Sequence, residues 1–214
     1  MALRLIGDIH CNTERYIQAI GTATETIQLG DFSTEDDFDL DFGIKQGGDH
    51  YILLGNHDNY QTVMDSNGFS ANRCGSAGKY NLVGHGRIGT SAGNVFYVSG
   101  AESPDRLRRT EGHDWWREEE LTFSQARECL DEWETLSGDN PINIVVSHDC
   151  PSRVAQMMHG DDKPTFTRQL LQEMWEIHKP SLWVFGHHHR NETIHLEGTT
   201  FRCLDEGEFI DIYP

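Results

Sequence analysis

The sequence predicts an α/β fold of layered sheets and helices, in one domain spanning residues 1–214. Three observations carry this. Short apolar runs recur along the chain, each the length of a strand buried on both faces. Segments with helical spacing lie between them, and strand–helix alternation builds layered α/β folds. There is neither an internal repeat nor a low-complexity linker, and 214 residues suffice for one domain with a real core.

The apolar runs are Leu3–Ile6, Thr26–Leu29, Tyr51–Leu54, Ile142–Val146 and Leu182–Phe185, with Val95–Val98 as a further strand. From Thr193 to Ile212 polarity alternates around Glu197-Gly198 and Glu206-Gly207, which predicts hairpin strands. A helix is expected over Thr13–Ala23, with Ile17 and Ile20 at helical spacing. Thr122 and Gln125 form a capping-box pattern that opens a second helix, to about Leu136, with Ala126, Leu130, Trp133 and Leu136 on one face. Pro164 suits the first turn of a third, running to His178 and stopped by Pro180. Its Leu170, Leu171, Met174 and Trp175 are core positions. Asp31–Gly48 and Gly84–Glu120 look irregular, and the run Glu35-Asp36-Asp37 is better read as a solvated loop than as a metal-binding one, since its spacing misses the EF-hand pattern.

A net charge of -18 argues against a protein that grips long nucleic acid through a basic surface, because such binding needs Lys and Arg to release counterions. A small phosphorylated substrate is still compatible. Most of the charge is expected to form a solvated face. The five cysteines are widely spaced and contain no C-x-x-C, so neither a disulfide framework nor a zinc ribbon is expected. Reduced thiols in the cytoplasm fit best. The apolar part of the N-terminus is too short for a signal peptide, and no stretch approaches a membrane span.

Each of five strands leaves a polar cluster behind it: Gly7-Asp8-Ile9-His10, Gly30-Asp31, Gly55-Asn56-His57-Asp58, Ser147-His148-Asp149 and Gly186-His187-His188-His189. Ligands bind at the carboxyl ends of strands in open α/β sheets, so the five clusters should converge. In an extended segment Asp8 and His10 share one side, as do His187 and His189, with His188 turned away. Asp8, His10, Asp31, Asn56, His148, His187 and His189 offer only nitrogen and oxygen donors. That set suits Mn, Fe, Zn or Ni, and seven ligands fit two ions better than one.

GDIH, LGD, GNHD, SHD and GHHH, in this order across nearly the whole chain, resemble the pattern of the calcineurin-like metallophosphoesterase superfamily. The resemblance implies a four-layer α/β/β/α sandwich and a centre of two divalent metal ions, manganese first among them. By position, one ion would be held by Asp8, His10, Asp31 and His189, the other by Asp31, Asn56, His148 and His187. Asp31 would bridge and serve catalysis, and His57 would face the leaving oxygen as the catalytic histidine. Two such ions clamp the attacking and leaving oxygens and make hydroxide available near neutral pH.

The chain departs from the protein serine/threonine phosphatases of that superfamily. Thr34 and Glu35 stand where those enzymes carry an orienting aspartate and a phosphate-gripping arginine, Asp58 where they have Glu, and Cys11 where Gly is usual. The stretch from Ser99 through Arg109 to Trp116 and Thr122 is similar to a small bacterial and phage subgroup. Within it, Arg106 or Arg109, with Asn56, is a candidate substrate-binding group, since guanidinium forks suit phosphate oxygens. The alternative is a surface turn whose arginines pair with nearby acids. Trp115 and Trp116 could stack on a base, but a core position is favoured. Asp149 could orient a ligand, and His85 or His159 could line the cleft. The expected activity is hydrolysis of a phosphoric ester, on a small phosphorylated substrate or phosphopeptide. A phosphodiesterase or nuclease on the same centre, or a non-catalytic metal-binding scaffold, are the alternatives. Oligomeric state is open.

Overall fold

The protein is described by a computed structural model covering residues 2–32, 48–61, 63, 73–74, 79–138, 141–160 and 164–214. Among the described residues two six-stranded sheets pack face to face. The first runs in the order β12 (Phe209–Ile212), β1 (Leu3–Ile6), β2 (Glu25–Gln28), β3 (Asp49–Leu53), β5 (Lys79–Leu82), β4 (Arg73–Cys74). The second runs β10 (Glu192–Leu196), β11 (Thr199–Cys203), β9 (Leu182–Phe185), β8 (Ile144–Ser147), β7 (Gly93–Val98), β6 (His85–Thr90). In each sheet the four inner strands pair parallel and the edge strands antiparallel.

Strand alternation sorts the apolar side chains into layers. Leu3, Leu5, Ile27, Val95, Val146 and Val184 meet between the sheets. Val145, Trp183, Phe185 and Phe96 face outward from the second sheet, under helices α2 (Phe123–Leu136), α3 (Ser152–His159) and α4 (Phe166–Ile177). Ile6 and Ile52 face outward from the first sheet onto Tyr16, Ala19 and Ile20 of α1 (Thr13–Ile20). The order is therefore α/β/β/α, and the runs of continuous apolar residues are strands covered on both faces, as their composition indicates.

The element boundaries moved in places. The capping box of Thr122 and Gln125 forms and α2 ends at Leu136. Pro164 lies one residue ahead of the cap rather than in the first turn: Thr165 caps α4, its side chain accepting from the Arg168 N–H, and the helix ends at Ile177. The Gly84–Glu120 segment is less irregular than expected: β6 forms within it, an edge strand whose HGRIGT composition carries one large apolar residue. The C-terminal strands are not one hairpin set. Glu197 and Gly198, both with positive φ, turn β10 into β11, but β12 crosses to the other sheet and pairs antiparallel with β1. The Glu35-Asp36-Asp37 run, with Thr34, lies outside the described residues. Among the described residues no helix is long and apolar enough to cross a membrane.

Candidate metal centre

The parallel strands of both sheets end at one side of the sandwich, and that side gathers the five polar clusters. Ligand atoms of Asp8, His10, Asp31 and His189 lie within 4.8 Å of one another, and so do those of Asp31, His148 and His187. Asp31 belongs to both groups. His10 Nε2 is 2.9 Å from His189 Nε2, 3.9 Å from Asp8 Oδ2 and 4.0 Å from Asp31 Oδ2. His189 Nε2 is 3.1 Å from Asp8 Oδ2, and His148 Nε2 is 3.3 Å from Asp31 Oδ1. Ligands about 2.1 Å from one tetrahedral cation sit roughly 3.4 Å from each other. The donor set and its spacing therefore fit divalent metal ions. Asn56 joins the second group, with Oδ1 3.1 Å from His148 Nε2.

The backbone that achieves this is not extended. His10, Asp31, His187 and His189 all have positive φ, between 48° and 63°. Non-glycine residues adopt this left-handed region rarely, and it is found where surrounding structure over-determines it. Strand alternation is thus the wrong reason for the pairing of His187 with His189. The chain turns sharply at each strand end, and the His188 ring, although 5.1 Å from that of His187, finds other polar partners. Its side chain is 3% exposed, with Nε2 2.9 Å from Asp149 Oδ1 and Nδ1 2.8 Å from His159 Nε2.

Three glycines make room for ligands from other motifs, Gly30 among them, where a Cβ would collide with the His148 ring. A Cβ on Gly55 would collide with Asp31 Oδ1, and one on Gly186 with Asp8 Oδ1. Hydrogen bonds hold the carboxylates: the His187 N–H donates to Asp8, and the His57 N–H donates to Asp31 Oδ1 at 2.8 Å. Asp58 is buried and takes the N–H groups of Phe32 and Gly55, at 2.9 and 2.7 Å, so it ties the loop carrying Asp31 to the loop carrying Asn56 and His57.

Burial opposes ionisation of Asp31, but the imidazoles of His148, His57 and His187 outweigh it and hold the carboxyl well below its usual range. Burial likewise opposes charge on His148, and the adjoining Asp31 raises it to about 10. A cation placed between them would compete with a proton for the same donor atoms.

His57 sits at the edge of the cluster, its ring 5.4 Å from that of His10. Burial lowers its proton affinity; Asp31 opposes this and Arg109 adds to it. Arg109 Nη1 lies 3.3 Å from His57 Nδ1. A guanidinium has only donors, so Nδ1 accepts and the ring proton resides on Nε2. Arg109 is itself held by Asp105, 2.6 Å from its Nε, and by the Asp114 carbonyl. Arg106 is not brought to the cluster: its guanidinium lies 4.6 Å from the Trp115 ring. Trp115 and Trp116 are buried, and Trp116 packs with Leu54, Tyr60 and Val63. Asp149 touches His188, Arg168 and the Cys150 N–H. His159 contacts His188, whereas His85 faces Glu132.

Ser103 and Glu119 were not foreseen. Both are buried, and Ser103 accepts the Asn56 side-chain N–H at 3.2 Å while donating to Glu119 at 2.6 Å. Nothing in their spacing marks them; only the fold returns Glu119 beneath Asn56.

The family model of the calcineurin-like phosphoesterases matches residues 1–191. No curated protein sequence matches the chain. Among solved structures, the phosphopantetheinyl hydrolase of Mycobacterium tuberculosis is similar at 15% identity and a TM-score of 0.56, over 96% of this chain and 90% of that one. A protein described as a candidate 5′-nucleotidase from Staphylococcus aureus is similar at 15% identity and a TM-score of 0.51, over 96% of this chain and 48% of that one. At these identities the likeness concerns the fold.

Proposed function

The chain belongs to the calcineurin-like phosphoesterase family, and from that premise we propose that it hydrolyses phosphoric monoesters of small phosphorylated molecules or phosphopeptides at a two-metal centre. The observation that carries this reading is the pair of ligand groups sharing Asp31. Asp8, His10, Asp31 and His189 would hold one ion, and Asp31, Asn56, His148 and His187 the other. When bound, two divalent ions, manganese first, supply Lewis-acid charge to a phosphoryl oxygen and make hydroxide available near neutral pH.

The chain's own residues do the rest. Asp31 is aimed by the backbone N–H of His57, which ties the shared carboxylate to the loop that carries the histidine. His57, with its proton on Nε2, donates a hydrogen bond to the leaving oxygen and so stabilises the charge that develops there. Arg109 stands beside it with a guanidinium suited to the non-bridging phosphate oxygens, in place of the arginine missing at Glu35. The net charge of -18 disfavours long nucleic acid as a substrate. Buried thiols at Cys129, Cys150 and Cys203 suit a reducing compartment such as the cytoplasm.

The test is a paired assay of p-nitrophenyl phosphate and bis-p-nitrophenyl phosphate after manganese loading, with a chelated control and a His57→Ala variant. Faster monoester cleavage that needs both metal and His57 supports the reading. Faster diester cleavage would replace it with a phosphodiesterase, and a chain that binds no metal would be a scaffold.

A further inference from the structure

We infer that Glu119 is a positioning residue that sets which atom of the Asn56 side chain faces the metal centre. The inference rests on the two-metal reading and extends it to a part of the chain that the five motifs leave out.

Glu119, Ser103 and Asn56 are each 1% exposed and form a single file of hydrogen bonds. Ser103 donates its one hydroxyl proton to Glu119 Oε2 at 2.6 Å, and its backbone N–H to Oε1 at 3.0 Å. Glu119 thus consumes both donors of Ser103. What Ser103 Oγ still offers toward Asn56 is lone pairs, and it takes the Asn56 Nδ2–H at 3.2 Å. The amide is then fixed with Oδ1 on the opposite side, 3.1 Å from His148 Nε2. An amide nitrogen carries no available lone pair and cannot ligate a cation. The polarity of the file decides whether Asn56 is a ligand at all. Burying a carboxylate here disfavours its charged form, since burial raises Glu119, and that burden has a reason if the carboxylate orients a ligand.

The file can be reversed without changing its shape. In Glu119→Gln the amide oxygen keeps the Ser103 N–H and the amide nitrogen donates to Ser103 Oγ. The hydroxyl proton must then point at Asn56, which turns its oxygen inward to Ser103 and its NH2 toward His148. Asn56→Asp has acceptors on both sides, so it should rescue Glu119→Gln. In the native background the same substitution should do harm, because a carboxylate oxygen would face the Ser103 lone pairs.

The experiment is manganese binding to the full chain, measured by calorimetry and by metal content, with circular dichroism to check folding. Two ions are expected for the native chain. Glu119→Gln should weaken one of the two sites by roughly tenfold to a hundredfold. The double variant should recover to within about threefold of native, and Asn56→Asp alone should be weaker than the double variant. Ser103→Ala, which leaves the amide without a director, should weaken the same site by a smaller factor and serves if Glu119→Gln does not fold. Native-like binding by Glu119→Gln, or a double variant no better than its parents, would overturn the assignment. A native chain that binds no manganese would instead sink the two-metal reading itself.

Discussion

Arg109 Nη1 lies 3.3 Å from His57 Nδ1, while Nε of the same guanidinium lies 2.6 Å from Asp105. The histidine is thereby joined to a donor that is itself fixed by a carboxylate. If Arg109 also grips the substrate, Arg109→Ala should raise KM for p-nitrophenyl phosphate by about tenfold to a hundredfold, as expected for a lost charge-assisted hydrogen bond of roughly 1.5–3 kcal/mol. Arg109→Lys should recover little, since an ammonium cannot hold Asp105 and His57 together. Arg106→Ala should change KM less than about twofold, because Arg106 stacks on Trp115 and does not reach the cluster. Steady-state kinetics on the three variants decide it, and an unchanged KM in Arg109→Ala removes the clamp.

Gly186 leaves space for Asp8, so its effect should be on metal binding more than on the fold. Gly186→Ala would press a methyl group against Asp8 Oδ1 and displace a carboxylate that also takes the His187 N–H. Overpacking of this kind typically destabilises by about 1–3 kcal/mol. The expected outcome is one ion lost per chain, with a folded circular dichroism spectrum and a lowered melting temperature. Two ions bound at native affinity would show that Asp8 does not need its present place.

The sandwich and the seven clustered donors were legible because both are local in sequence. A strand buried on both faces is a short apolar run, and the donors follow it directly, as Asp8 follows Leu3–Ile6 and His187 follows Leu182–Phe185. The left-handed backbone of His10, Asp31, His187 and His189 was not legible, since any residue can be forced there by its surroundings. The same holds for β12, whose partner β1 is more than two hundred residues away, as the pairing of Leu3 with Ile212 shows. Ser103 and Glu119 are sixteen residues apart on a segment without regular periodicity, so only the folded path brings them under Asn56.

The three adjacent histidines should separate cleanly. His187→Ala should lose one ion, because its ring belongs to the group of Asp31 and His148. His188→Ala should keep both. Its ring contacts Asp149 and His159, and the Asp149 carboxylate retains Arg168 at 2.8 Å. The lost hydrogen bonds to a buried charged partner should appear as about 1.5–3 kcal/mol of stability in denaturant unfolding. Loss of an ion in His188→Ala, with no change in stability, would mean that His188 acts on the centre directly.

Glu120 gives stability a pH dependence that can be tested away from the metal centre. Burial raises its carboxyl and outweighs the N–H and hydroxyl of Thr167 at the start of α4, which its Oε1 accepts and which oppose the shift, as Arg106 does more weakly, while Glu102 adds to it. A carboxyl whose folded pKa lies above its unfolded value binds its proton more tightly in the fold. Its stabilising contribution is therefore complete below the unfolded value, near 4.3, and is lost as pH rises through the folded one. Glu120→Gln retains an oxygen for Thr167 and removes the titration. The variant should gain melting temperature relative to the native chain as pH is raised from about 4 to 7, and the gap should close at the acid end. An equal difference at every pH would mean that Glu120 is not held above its ordinary value, and that its contribution is the Thr167 hydrogen bond alone.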